Sequence, residues 1–174
     1  MQMDRFTKRS LKALQDAQSV ASENGNSQVT SEHLFYALLS PSDGLIRQLF
    51  EKSGFDTEVL ILSLKSVIEN MPRVTSGRES DKIYISADCD RVLAKSEQIA
   101  NSQKDDYISV EHIMLALIKT ASGKAKEIWF PNLKLRSKNV AKLKAGYSYC
   151  LIQVALMKIH TRSIVIFAEE SDEC

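Results

Sequence analysis

Apolar residues recur along the first part of the chain at the three- and four-residue spacing of helices. After Thr7 come Leu11, Leu14, Ala17 and Ala21, a single stripe on a helix, and Gly25 is placed to end it. Thr30 is predicted to cap a second helix, with Glu32 in its first turn where the helix dipole favours an anion. Asp43-Gly44 opens a short third helix through Lys52, closed by Gly54. Asp56 caps a fourth, along which Leu60, Leu64, Val67, Ile68 and Met71 form a stripe that stops at Pro72. Arg73 to Lys82 is polar and contains Ser76-Gly77, which reads as a linker. Ile83-Tyr84-Ile85 is too short for more than an extended lead-in.

The pattern then repeats. A shift of 79 positions lays Gln28 to Leu39 over Tyr107 to Ile118 without a gap, and Ser109 and Glu111 reproduce the Thr30 and Glu32 arrangement. The same shift places Phe6-Thr7 over Ile85-Ser86, Leu14 over Leu93 and Val20 over Ile99. Identities are few, but apolar positions keep their class. The expectation is an all-α fold of two pseudo-symmetric repeats of about four helices each. Repeat one spans about 4–72, a linker 73–82, and repeat two about 83–146. Residues 147–174 form a divergent tail.

Composition changes this picture little. Of 174 residues, 44% are apolar and 26% charged, and the few Gly and Pro favour helices over a turn-rich β-architecture. The three cysteines, Cys89, Cys150 and Cys174, are odd in number and far apart, which suits a reducing compartment. The N-terminus has no signal-peptide core, and no apolar run approaches the ~20 residues of a membrane span. A soluble, cytoplasmic protein is expected, with no membrane partner. Residues 1–118 hold 13 basic and 17 acidic residues, whereas 119–144 hold eight basic side chains against Glu127 alone. That stretch reads first as a solvated helix face and second as a contact for RNA or an acidic surface.

No catalytic constellation is visible. Gly123-Lys124 lacks the upstream Gly and following hydroxyl of a phosphate-binding loop. His33 and His112 are repeat-related and each follows a Glu in a helix's first turn. Capping geometry and half-buried imidazoles account for them without a metal. Cys89 reads as a small buried residue and Trp129 as a packing residue. No cofactor and no metal site is expected, and the chain is not expected to be an enzyme.

Asp4-Arg5-Phe6-Thr7, Ala13-Leu14, Ala17-Gln18 and Val29-Thr30-Ser31-Glu32-His33-Leu34 resemble the amino-terminal domain of Clp ATPases. Met71-Pro72-Arg73-Val74 and Asp106-Tyr107-Ile108-Ser109-Val110-Glu111-His112 are most similar to the ClpB disaggregase branch. The resemblance is strong over 4–120 and weaker to about 146. It implies a duplicated four-helix unit that captures unfolded or aggregated polypeptide for an ATPase ring. It also implies that polar residues at Thr7, Asp105 and Glu111 cluster on one face and couple to clients; plain helix capping by Thr7 and Glu111 is the alternative. A groove between the two halves would recognise apolar segments. Leu93 and Ile99 on the fifth helix are the candidates for its wall. Leu93 shares a face with Ser96 and Ala100 while Ile99 falls to one side, so at least one, Ile99 before Leu93, is expected to be partly exposed.

After Gly146 the resemblance stops. The family continues into a polar linker and an ATPase module, whereas Tyr147 to Ala168 is apolar. A novel tail and a shifted reading frame both account for this, and neither provides ATP hydrolysis. Two other functions stand beside the client-binding module: a free-standing adaptor or decoy for a Clp chaperone or protease, and a small helical nucleic-acid-binding protein.

Overall fold

Thr7 and Ser86, repeat mates, start the two long helices in the same way. Thr7 Oγ1 accepts from the Ser10 N–H and Ser86 Oγ from the Cys89 N–H, both at 3.2 Å, satisfying a donor that the first turn leaves open. They open α1 (Lys8–Glu23) and α5 (Ala87–Gln103). The computed structural model of the protein describes residues 3–52, 55–73 and 83–120. The helices end alike as well: Gly25 has φ +72° and Lys104, its repeat mate, φ +62°, so a left-handed residue turns the chain at both corners.

Beyond each corner runs a helix that is apolar nearly all round, α2 (Ser31–Leu39) and α6 (Val110–Thr120). Leu34, Phe35, Leu38 and Leu39 on α2, and Ile113 to Ile118 on α6, are all buried. An all-round apolar helix belongs at the centre of a bundle. Accordingly α2 packs on α1, α4, α5 and α6, and α6 packs on α5, α2 and α1. α3 (Leu45–Lys52) and α4 (Thr57–Glu69) complete the first repeat. Asp56 caps α4 by accepting from the Val59 N–H. Phe50 stacks between Phe35 and Phe55 at tilted ring angles and is fully buried.

The two repeats exchange their lead-ins. β1 (Gln28–Val29) pairs in parallel with β2 (Tyr84–Ile85), so the expected lead-in before α5 is a short strand. Phe6 forms a parallel bridge with Ile108. Ile85 is the repeat mate of Phe6 and Ile108 that of Val29, so each unit's entry strand lies against the other's corner. The Thr7 N–H donates to the Ile108 carbonyl at 3.1 Å, and the Ser86 N–H to that of Val29 at 2.9 Å. Arg5 fastens one crossing further, donating to Glu97 Oε1 at 3.1 Å and to Asn101 Oδ1 at 2.8 Å.

The expected exposure of the fifth helix is corrected. Leu93 is fully buried, and Ile99 retains only 6% of its surface. The buried positions of α5, Cys89, Val92, Leu93, Ser96, Ile99 and Ala100, follow i, i+3, i+4, i+7, i+10 and i+11 and face α6 and α2. They form one ordinary apolar stripe about 120° wide, and Ile99, seven residues after Val92, lies within its edge rather than to one side of it. Gly54, most of the expected linker, the later helices of repeat two and the tail 147–174 lie outside the described residues.

Candidate functional site

A pocket of about 290 Å³ opens on the first repeat, with Val110 as its one lining residue from the second. One wall is the face of α1 carrying Arg9, Lys12, Ala13 and Asp16, positions spaced i, i+3, i+4 and i+7. The C-terminal end of α2 contributes Ala37 and Leu38, and Val110 enters from the start of α6. Pro41, Asp43 and Gly44 bring the chain back over the opening to Leu45 and Ile46 of α3. The turn is tight: the Gly44 N–H donates to the Pro41 carbonyl at 3.0 Å, and a Cβ on Gly44 would lie 2.9 Å from that oxygen. The floor is apolar and the rim ionic. Lys12 is paired with Asp16 at 3.2 Å, while Arg9 and Asp43 are exposed.

The volume sits at the small end of the ~300–1,000 Å³ of ligand pockets, which suits side chains of a polypeptide better than a bulky cofactor. None of these residues belongs to a motif that marks it as a binding residue in the sequence. The legible signal was a small-for-large exchange: Ala13 stands where the second repeat has Val92.

The five residues expected at a client site divide. Thr7 is the α1 cap, and its hydroxyl lies 2.8 Å from Ser10 Oγ, which in turn donates to the Ile108 carbonyl. Glu111 is half-buried in the first turn of α6. Asp105 Oδ2 lies 2.9 Å from His112 Nε2. Leu93 and Ile99 belong to the core. None of the five lines the pocket, although Val110 of its wall adjoins Glu111.

Both repeat-related histidines cap helices with their rings. The Thr30 N–H donates to His33 Nδ1 at 3.1 Å, and the Ser109 N–H to His112 Nδ1 at 3.0 Å. Nδ1 is therefore unprotonated and Nε2 carries the proton, donating to Asn26 Oδ1 at 3.1 Å in one repeat. In the other it faces Gln103 Oε1 at 2.7 Å and the Asp105 carboxylate. Both rings are buried rather than half-buried. Burial pushes His33 below its ordinary pKa, with the neighbouring Glu32 charge opposing in part. Burial, aided by the charges of Asp90, Glu32 and Asp88, pushes the Cys89 thiol up to about 12, so it is an inert core residue. Among the described residues no group of His, Cys, Asp and Glu is placed to hold a metal ion, and no helix is long and apolar enough to cross a membrane. Of the basic stretch, only Lys119 and Thr120 fall within the described residues.

The Clp repeat (R) N-terminal domain family matches residues 5–129. The chaperone protein ClpB of Clostridium perfringens is 36% identical over 144 residues, covering 82% of this chain and 16% of the relative. That of Bacillus anthracis is 36% identical over 117 residues, 67% of this chain and 14% of the relative. The chain thus spans a small part of the length of these curated relatives. Among solved structures, the Hsp104 N-terminal domain from Candida albicans superimposes with a TM-score of 0.68 at 22% identity, covering 88% of this chain and 90% of that one. The N-terminal domain of ClpV1 ATPase from E. coli has the same fold, with a TM-score of 0.63 at 19% identity, covering 87% and 86%. With a family match over most of its length and a duplicated helical fold to go with it, the chain belongs to the Clp repeat N-terminal domain family.

Proposed function

We propose that this chain is a polypeptide-binding module, which takes up exposed apolar segments of unfolded or aggregated proteins on behalf of a ClpB-type ATPase ring. The observation that carries the reading is the apolar pocket with an ionic rim on a Clp N-terminal fold. A small pocket buries less area than the ~1,200 Å² of standard protein interfaces, so binding is weak and reversible, as capture and hand-over require. In this reading residues 4–146 are the binding unit. Thr7, Asp105 and Glu111 hold the helix starts and the α5–α6 corner that frame it, and Leu93 and Ile99 support it from the core. The test is fluorescence anisotropy of a labelled, urea-unfolded client diluted into the chain. Saturable binding to the unfolded client with none to its native form is expected. Equal binding to both forms, or to neither, overturns the reading.

A further inference from the structure

We infer that the pocket is selective for acidic amphipathic segments, inserting an apolar side chain on its floor while a flanking carboxylate pairs with Arg9. This deepens the proposed polypeptide-binding role and rests on it. Four observations favour this occupant. The lining includes the apolar side chains of Ala13, Leu38, Ile46 and Val110, the first three of them buried. The first turn of α1 contains no acidic residue but presents exposed Lys8 and Arg9 beside the positive end of the helix dipole, with exposed Lys12 one turn on. Lys12 is already neutralised by Asp16, whereas Arg9 makes no ion pair among the described residues. A guanidinium in that position is a planar fork suited to a carboxylate. Asp43, which is exposed and also lines the pocket, repels an acid placed beside it, so the acidic flank of the segment lies over Arg9.

The second repeat does not offer the same surface. At the positions of Arg9, Lys12 and Ala13 it has Asp88, Arg91 and Val92. There Arg91 is paired with Asp88 and Val92 is fully buried. The charge and the space are both properties of the first repeat, and the pseudo-symmetry of the fold does not require either.

Two labelled helical peptides with the same leucine stripe, one glutamate-rich and one lysine-rich, test this by anisotropy against the full chain. The glutamate peptide is expected to bind at least about tenfold tighter, and Arg9→Glu to erase or invert that preference. Lys8→Glu, an exposed cation outside the pocket, is expected to leave most of it. Ala13→Leu, which fills the floor, is expected to weaken the glutamate peptide while retaining a cooperative thermal transition. Equal affinity for the two peptides overturns the inference. So does an equal loss from Lys8→Glu and Arg9→Glu, which assigns the preference to diffuse charge. If neither peptide binds while the unfolded client is still captured, the pocket assignment fails and the module reading stands. If client capture is absent too, both fail.

Discussion

Asp105 holds its Oδ2 2.9 Å from Nε2 of His112. One repeat earlier, Asn26 holds its Oδ1 3.1 Å from Nε2 of His33. Asn26 and Asp105 each precede their histidine by seven residues and sit just past the left-handed corner residue. The Nε2–H of His112 donates to Gln103 Oε1 at 2.7 Å, so each capping imidazole keeps a neutral amide acceptor, and the second repeat adds the Asp105 carboxylate as a charged neighbour.

Asp105→Asn copies the first repeat and removes the charge beside His112. It is expected to change stability by less than about 1 kcal/mol, and so is Asp105→Ala, because Gln103 Oε1 still accepts from His112; Gln103→Ala removes that acceptor from a buried ring and is expected to cost about 1–3 kcal/mol. Urea unfolding of the three variants decides this. A larger loss from Asp105→Ala than from Gln103→Ala would mean that the carboxylate, not the amide, is what His112 requires.

His33 supplies a pH dependence whose sign follows from its lowered pKa. The folded state resists protonation because burial disfavours the cation and Nδ1 already accepts the Thr30 N–H. The unfolded chain takes up that proton first, near its ordinary value of 6.5. The histidine's contribution is therefore complete above about pH 6.5 and declines as pH falls below it. Urea midpoints compared at about pH 7.5 and about pH 5.5 should drop on acidification, and by less in His33→Gln. An identical drop in the variant would assign the dependence to other groups.

The two helix corners respond oppositely to substitution. Gly25 at φ +72° carries no Cβ penalty, so Gly25→Ala is expected to cost about 1 kcal/mol. Lys104 adopts φ +62° with a full side chain, and Lys104→Gly is expected to gain up to about 1 kcal/mol. Thermal unfolding of the two single variants measures it. Destabilisation by Lys104→Gly would show that the lysine side chain contributes more than its backbone strain.

Ile99→Ala removes a buried side chain from the α5 arc and is expected to cost about 2–4 kcal/mol, with Leu93→Ala at the upper end of that range. Ile99→Glu places a charge in the same position and is expected to abolish the cooperative transition. A well-folded Ile99→Glu chain that fails only in client capture would return Ile99 to the binding surface.

Much of the architecture is a local matter and is readable from the chain itself. Thr7, Asp56 and the stripe from Leu60 to Met71 state their helices through capping chemistry and helical spacing, which involve neighbours within one or two turns. The 79-residue register also showed that the second unit copies the first, down to the corner before each capping histidine. Two features depend on residues far apart in sequence and were not legible. The crossing of Phe6 with Ile108 and of Val29 with Ile85 joins different repeats, and two-residue strands carry no period of their own. The burial of Ile99 is not one of them, because its place in one stripe with Val92, Ser96 and Ala100 follows from helical spacing alone. The pocket arises only when α1, the Pro41–Gly44 turn and Val110 come together, so its charge and volume belong to no single segment. Helices and their repetition are written in nearest-neighbour chemistry; what lies inside, what lies outside and where a groove opens are decided by which surfaces the folded chain brings into contact.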